Sequence, residues 1–160
     1  MTRTTILIEL PADRSKLGQI SLKNQDQLLW GPAACYGKAD GQSAADHGNP
    51  TRDPLKPFGD TPLGTYACVI GHPAVTPKIA HSYGPNGYIV LSPVSGPAKI
   101  AEQNGRFGLL IHGGDLNAAG KLRPTFGCVR VPNDRLRFLM AKIEPLMKTG
   151  VQCQIVPLVL

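Results

Sequence analysis

Strand-like patterns dominate this chain. Residues 4–10 (TTILIEL) are β-branched and apolar and predict a first strand. Residues 18–23 (GQISLK) alternate apolar with polar, as a half-buried strand does. Residues 27–36 (QLLWGPAACY) predict a third strand, interrupted at Gly31-Pro32, and the short polar link Asn24-Gln25-Asp26 makes the two a hairpin. The pattern then breaks over residues 37–60, where Gly and Pro recur and apolar residues nearly vanish. A loop of that length in a compact domain is usually functional or mobile. Strand patterns return at residues 64–71 (GTYACVIG), 87–91 (GYIVL) and 107–111 (FGLLI). Only residues 134–147 change to the helical period, with Leu136, Leu139, Met140, Ile143 and Met147 on one face and Asn133 or Asp134 as cap. Residues 151–160 close the chain as a strand. The expectation is mostly β, about seven strands with one main helix, without internal repeats or low-complexity tracts.

Composition agrees. The 18 Gly and 15 Pro make about a fifth of the 160 residues, against ~12 % on average. That favours short strands and loops over a helical bundle. Hydrophobic residues at 42 % and charged residues at 18 % place the chain among globular proteins. The length predicts a single domain over residues 1–160. No apolar run approaches the ~20 residues of a membrane span. The first ten residues, MTRTTILIEL, lack the apolar core and small-residue cleavage site of an export signal. The expectation is a chain that stays in the cytoplasm, leaves by a signal-free route, or has been trimmed. The net charge is +6, but Lys and Arg are scattered with no basic run or interleaved aromatics, which argues against nucleic acid. A diffuse positive field favours approach to an anionic polymer. Cys35, Cys68, Cys128 and Cys153 match no zinc spacing, so no metal and no cofactor is expected. Three of the four read as buried structural thiols.

Candidate chemistry concentrates in residues 107–136, FGLLIHGGDLNAAGKLRPTFGCVRVPNDRL. His112 ends an apolar strand and precedes Gly113 and Gly114, while Cys128 follows Gly127. A cysteine nucleophile needs a base nearby, because the thiolate is the reactive form, and histidine is the usual partner. Gly113 and Gly114 let backbone approach the reacting atoms, and Gly127 frees nearby N–H groups for an oxyanion hole. On the residues alone, a catalytic pair and a chance coexistence of one Cys and one His both remain open.

Three blocks, in order, resemble the L,D-transpeptidase catalytic domain, the YkuD-like family. Asp60-Thr61-Pro62-Leu63-Gly64-Thr65-Tyr66 is similar to the family's Thr-Pro-x-Gly-x-aromatic block. Gly108-Leu109-Leu110-Ile111-His112-Gly113-Gly114 is similar to the block that holds the catalytic histidine. Thr125-Phe126-Gly127-Cys128-Val129-Arg130-Val131 is similar to the Ser/Thr-x-Gly-Cys-x-Arg block, and Asn133 and a helix follow it. Residues 60 to 140 carry the resemblance. It implies an L,D-transpeptidase-like fold, a curved β-sandwich or barrel-like sheet with its main helix after the nucleophile.

The resemblance also implies a reaction. Cys128 attacks the carbonyl between an L-centre and a D-amino acid in a peptidoglycan stem peptide, and terminal D-alanine leaves behind a thioester. A neighbouring amine or water resolves it, giving a transpeptidase or a carboxypeptidase. His112 is base and then acid, the Gly113 carbonyl orients it, and the N–H groups of Gly127 and Cys128 hold the oxyanion. Arg130 positions substrate, its planar fork suiting a carboxylate; the plainer alternative pairs it with Asp134 or Asp115. Many members carry His before the Gly-Cys pair, where this chain has Phe126, which lacks that donor. Outside the carried-over positions, His81 and Tyr83 either line a substrate groove or flank a turn at residues 84–87. Thr125 either caps a turn or touches substrate. His47 and His72 read as surface residues and Trp30 as core. A wall substrate in a chain without an export signal further implies a delivered antibacterial effector, with a secretion-system or immunity partner, or a phage wall enzyme. The rivals are a peptidoglycan-binding module without chemistry and a thiol hydrolase of another amide.

Overall fold

The computed structural model describes residues 3–159. Strands β1 (Thr4–Leu10), β2 (Gly18–Asn24) and β3 (Gln27–Cys35) form an antiparallel meander. A second comprises β4 (Gly64–Gly71), β5 (Tyr88–Ser95) and β6 (Leu110–His112). The short β7 (Val129–Arg130) lies parallel to β6. The last strand, β8 (Val151–Pro157), joins the meanders, running parallel to β1 and antiparallel to β4. The result is one eight-stranded sheet in the order β3-β2-β1-β8-β4-β5-β6-β7. Its two ends nearly meet. Tyr36, just after β3, exchanges both backbone hydrogen bonds with Arg130 at 2.9 Å. The protein is therefore mostly β, with a nearly closed, barrel-like sheet and few helices.

Alternation puts one face of each strand inside. Ile6, Ile8, Ile20, Leu22, Tyr66, Ile89 and Ile155 form the core with almost no exposure. Burying such side chains contributes roughly 1.5–3 kcal/mol each. Three helices are short: α1 (Gly41–Asp46), α2 (Pro77–Tyr83) and α3 (Pro97–Gln103). The longest, α4 (Asn133–Ile143), sends Leu136, Leu139, Met140 and Ile143 into the core.

The differences from the sequence expectations have local causes. Helices α1 to α3 run six or seven residues, too short to show a period, although α2 and α3 carry the Pro near the N-terminus that marks a helix start. Helix α4 gives way at Ile143 to a 3₁₀ turn, Glu144–Leu146, because Pro145 has no N–H to continue the ladder. Neither Asn133 nor Asp134 caps it; Pro132 occupies the cap position with no side-chain bond. Strand β3 runs through Gly31-Pro32, and the interruption is a register shift against β2 near Leu22. Strand β6 starts only at Leu110, because Gly108 adopts φ +77° and Phe107 is left exposed. Strand β8 ends at Pro157, and Leu160 lies outside the described residues. All four cysteines are free, with Cys35, Cys68 and Cys153 buried. Burial pushes the Cys35 and Cys68 thiols up to about 12, so they are inert.

The long segment 37–60 is held by buried polar groups. Arg106 is 4 % exposed. It donates to the carbonyls of Pro54 (3.0 Å), Lys56 (3.1 Å), Asp60 (2.9 Å) and Gly59 (2.6 Å). The Asp60 carboxylate accepts the Ala39 N–H at 2.8 Å and pairs with Arg52 at 3.2 Å. Asn49 bonds the backbone at Asp53 and Pro57. Replacing Arg106 by Met leaves these carbonyls unpaired in the interior. Urea denaturation is expected to show a loss of about 3 kcal/mol. Arg106→Lys is expected to recover little of it, because an ammonium lacks the planar fork that reaches four acceptors.

Candidate active site

Register brings the two candidate catalytic residues together. In the parallel pair, Ile111 faces Val129 and His112 faces Arg130. Ile111 and Val129 point into the core with no exposure. Alternation therefore turns Leu110, His112, Cys128 and Arg130 to the other side. That side is a cleft of about 730 Å³ holding Cys128, His112, Tyr83, Thr125 and Arg130. Phe58, Phe107 and Phe126 line it as well, and Phe107 and Phe126 are mostly exposed.

His112 is 3 % exposed. Its Nδ1 lies 2.7 Å from the Gly113 carbonyl. A carbonyl only accepts, so Nδ1 carries the proton and Nε2 is the basic nitrogen. The Gly113 carbonyl also accepts Arg130 Nε at 3.0 Å. The turn behind it is fixed by the Gly113 N–H on the Tyr83 carbonyl and the Gly114 N–H on Asn133 Oδ1. A Cβ at Gly113 would collide with the Asn133 amide, which explains the glycine. Tyr83 packs edge-on against the imidazole, with ring centroids 4.9 Å apart. Burial pushes the His112 pKa down to about 4; the Gly113 hydrogen bond opposes this, and the positive charges of Arg130 and Arg123 reinforce it. The ring is neutral at pH 7 and available as a base.

Cys128 is half-buried just before β7. Its Sγ accepts the Leu110 N–H at 3.3 Å, and its S–H faces the Gly108 carbonyl at 3.6 Å. Burial pushes the thiol pKa up, while the Leu110 N–H, Arg106 and Arg130 pull the other way. The resting pair is thus a thiol and a neutral imidazole, and among the described residues no hydrogen bond joins them. For such a pair to act chemically, attack by sulfur would need proton transfer to Nε2 in the same step.

The expected oxyanion hole is altered. The Gly127 N–H is committed to Thr125 Oγ1 at 2.9 Å, and Thr125 Oγ1 donates to the Cys128 carbonyl at 2.8 Å. Thr125 therefore builds the turn that carries Cys128. The Cys128 N–H, by contrast, has no acceptor among the described residues and is the available donor. Gly127 sits at φ +111°, where a Cβ would strike the Arg106 guanidinium and the Gly59 carbonyl. Thr61, fully buried, donates to the Gly127 carbonyl at 2.6 Å.

Arg130 lies in the cleft wall but is 3 % exposed. Its guanidinium donates to the carbonyls of Gly113, Arg123, Pro124 and Ser82. It brackets the backbone around His112 and Cys128 instead of presenting a free fork, and it pairs with neither Asp134 nor Asp115. His81 stands outside the cleft lining, and its exposed ring bonds Asp115 Oδ2 at 2.9 Å. His47 is exposed and stacks on Phe58 at 3.7 Å, His72 is exposed beside Glu144, and Trp30 packs partly buried on the core. Sequence reasoning missed the supporting roles of Thr61, Arg106 and Asn133. Thr61 stands inside the first resemblance block and Asn133 just after the third, but their partners are 66 and 19 residues away. Among the described residues no three His, Cys, Asp or Glu side chains gather as a metal site. No protein-family model matches the chain, and no curated protein is significantly similar to it.

Two measurements check these assignments. The unfolded chain protonates His112 near pH 6.5 and the folded one near 4. Its contribution to stability is complete above about pH 6.5 and is lost as pH falls toward 4. Wild type should lose about 2 kcal/mol between pH 7 and pH 5 relative to His112→Gln, by urea denaturation at both pH values. In the native protein, iodoacetamide should modify Cys128 and spare the three buried thiols. Its rate should climb across pH 6–9 without a plateau, read by peptide mass spectrometry.

Proposed function

We propose that the chain is a cysteine-dependent acyl transferase of peptidoglycan, an L,D-transpeptidase or L,D-carboxypeptidase acting on stem tetrapeptides. One observation carries this reading: the 2.7 Å bond from His112 Nδ1 to the Gly113 carbonyl, in a cleft shared with Cys128. It leaves Nε2 as the base in the same cleft as a thiol. In the proposed reaction Sγ attacks the carbonyl carbon before the terminal D-residue. Nε2 takes the thiol proton and passes it to the leaving amine as the C–N bond breaks. The Cys128 N–H stabilises the oxyanion, and an amine or water then resolves the thioester. The three sequence blocks and the barrel-like sheet, with the main helix just after the nucleophile strand, are compatible with the L,D-transpeptidase fold. On this reading the chain works at the cell wall or in the periplasm, with delivery by a secretion system and an immunity protein as partners.

A second reading, a binding module that has lost the chemistry, is favoured by the raised Cys128 pKa and the missing bond between sulfur and imidazole. The two separate on purified tetrapeptide muropeptides followed by mass spectrometry. Wild type is expected to release D-alanine or form an L,D-linked dimer, and Cys128→Ala to do neither. His112→Ala should be slower by about 10²–10⁴-fold, the usual weight of a general base. Binding without turnover by wild type would establish the module. Turnover of other amides but not of D-amino-acid stems would point to a different thiol hydrolase.

A further inference from the structure

Arg130 spends its guanidinium on backbone carbonyls, so the cation that meets substrate must be sought elsewhere in the cleft. Arg123 lines the same cleft and is half-buried. Its Nε donates to the Asp115 carbonyl at 2.7 Å and its Nη2 to the His81 carbonyl at 2.6 Å. The second bond holds the head against the last turn of α2, where the helix dipole favours a cation, and the first ties it to the loop after β6. The Nη1 amino group, with two N–H donors, has no partner among the described residues.

The charge of Arg123 is equally unmatched. Both its acceptors are neutral carbonyls, and it forms no salt bridge. The carboxylate of Asp115, the residue whose carbonyl Arg123 bonds, is held by His81. Arg130 next to it also bonds only carbonyls. The acidic group in the cleft lining, Asp40, is occupied in capping α1. The cleft beside His112 therefore presents a positive field with one preoriented, unfilled pair of donors, a fit for a carboxylate.

We propose that Arg123 anchors a substrate carboxylate in this cleft, so that the site selects peptides with a free acid at or next to the scissile bond. The proposal rests on the peptidoglycan reading and specifies it. Two carboxylates share this chemistry: the terminal one of the leaving residue, and a side-chain one on the residue before it.

The test is calorimetric binding in a Cys128→Ala background, which removes turnover. Three tetrapeptides are compared: free acid, C-terminal amide, and side-chain amide. The free acid should bind, and adding Arg123→Gln should weaken it about tenfold or more, as expected for a hydrogen bond to a charged group. One amide should bind equally weakly with or without Arg123→Gln, and it identifies the carboxylate. Arg123→Lys, which keeps the charge without the fork, should fall between and shows that the site still folds. An equal effect of Arg123→Gln on all three peptides, or no effect on any, overturns the anchor while leaving the peptidoglycan reading intact. No binding of any peptide to Cys128→Ala overturns that reading and the anchor with it.

Discussion

The Gly113 carbonyl oxygen accepts two hydrogen bonds, one from His112 Nδ1 and one from Arg130 Nε. The first selects the imidazole tautomer. The second ties that choice to β7, two residues after Cys128. Because β6 and β7 run parallel in register, the His112–Arg130 pairing also fixes Cys128 beside Leu110. A register slip of one residue would turn Ile111 into the cleft and His112 into the core. The closure of the sheet guards against that slip, since Arg130 is bonded through its backbone to Tyr36 as well.

Around this point the protein places buried arginines as brackets for backbone. Arg106 and Arg130 together hold the segments at 54–60, 82, 113 and 123–124 through carbonyl acceptors. A buried cation is tolerated because each is met by several oriented carbonyls. Among the described residues no buried side-chain nitrogen or oxygen lacks a partner. Glycines complete the arrangement: at Gly127 the guanidinium of Arg106 comes so close that no side chain fits. The long segment that reads as a loop is for this reason an ordered wall of the cleft.

The same burial that orders the site sets its electrostatics. It lowers the His112 pKa and raises that of Cys128, so that both rest uncharged. An ion pair is not stored in advance, and the arginines of the cleft carry unneutralised positive charge. A developing oxyanion and a bound carboxylate would both be stabilised there, because the arginines are already oriented.

Much of this was readable in the chain. Periodicity placed β1, β2, β4 and the start of α4, because their faces are simply buried or exposed. The residues alone left open whether His112 and Cys128 form a pair or coexist by chance, and the fold brings both into one cleft. The roles of individual partners were not readable. Arg130 looks the same in sequence whether its fork meets a substrate or four carbonyls, and the Gly127 N–H looks free until Thr125 Oγ1 is placed against it. Asn133 reads as a helix cap, yet its side chain turns back to Gly114. Residue type and local period determine which elements form and which groups carry chemistry. Only the tertiary structure decides how donors are shared, because partners such as Thr61 with Gly127, Asn133 with Gly114 and Arg130 with Gly113 meet across separations that no local pattern records.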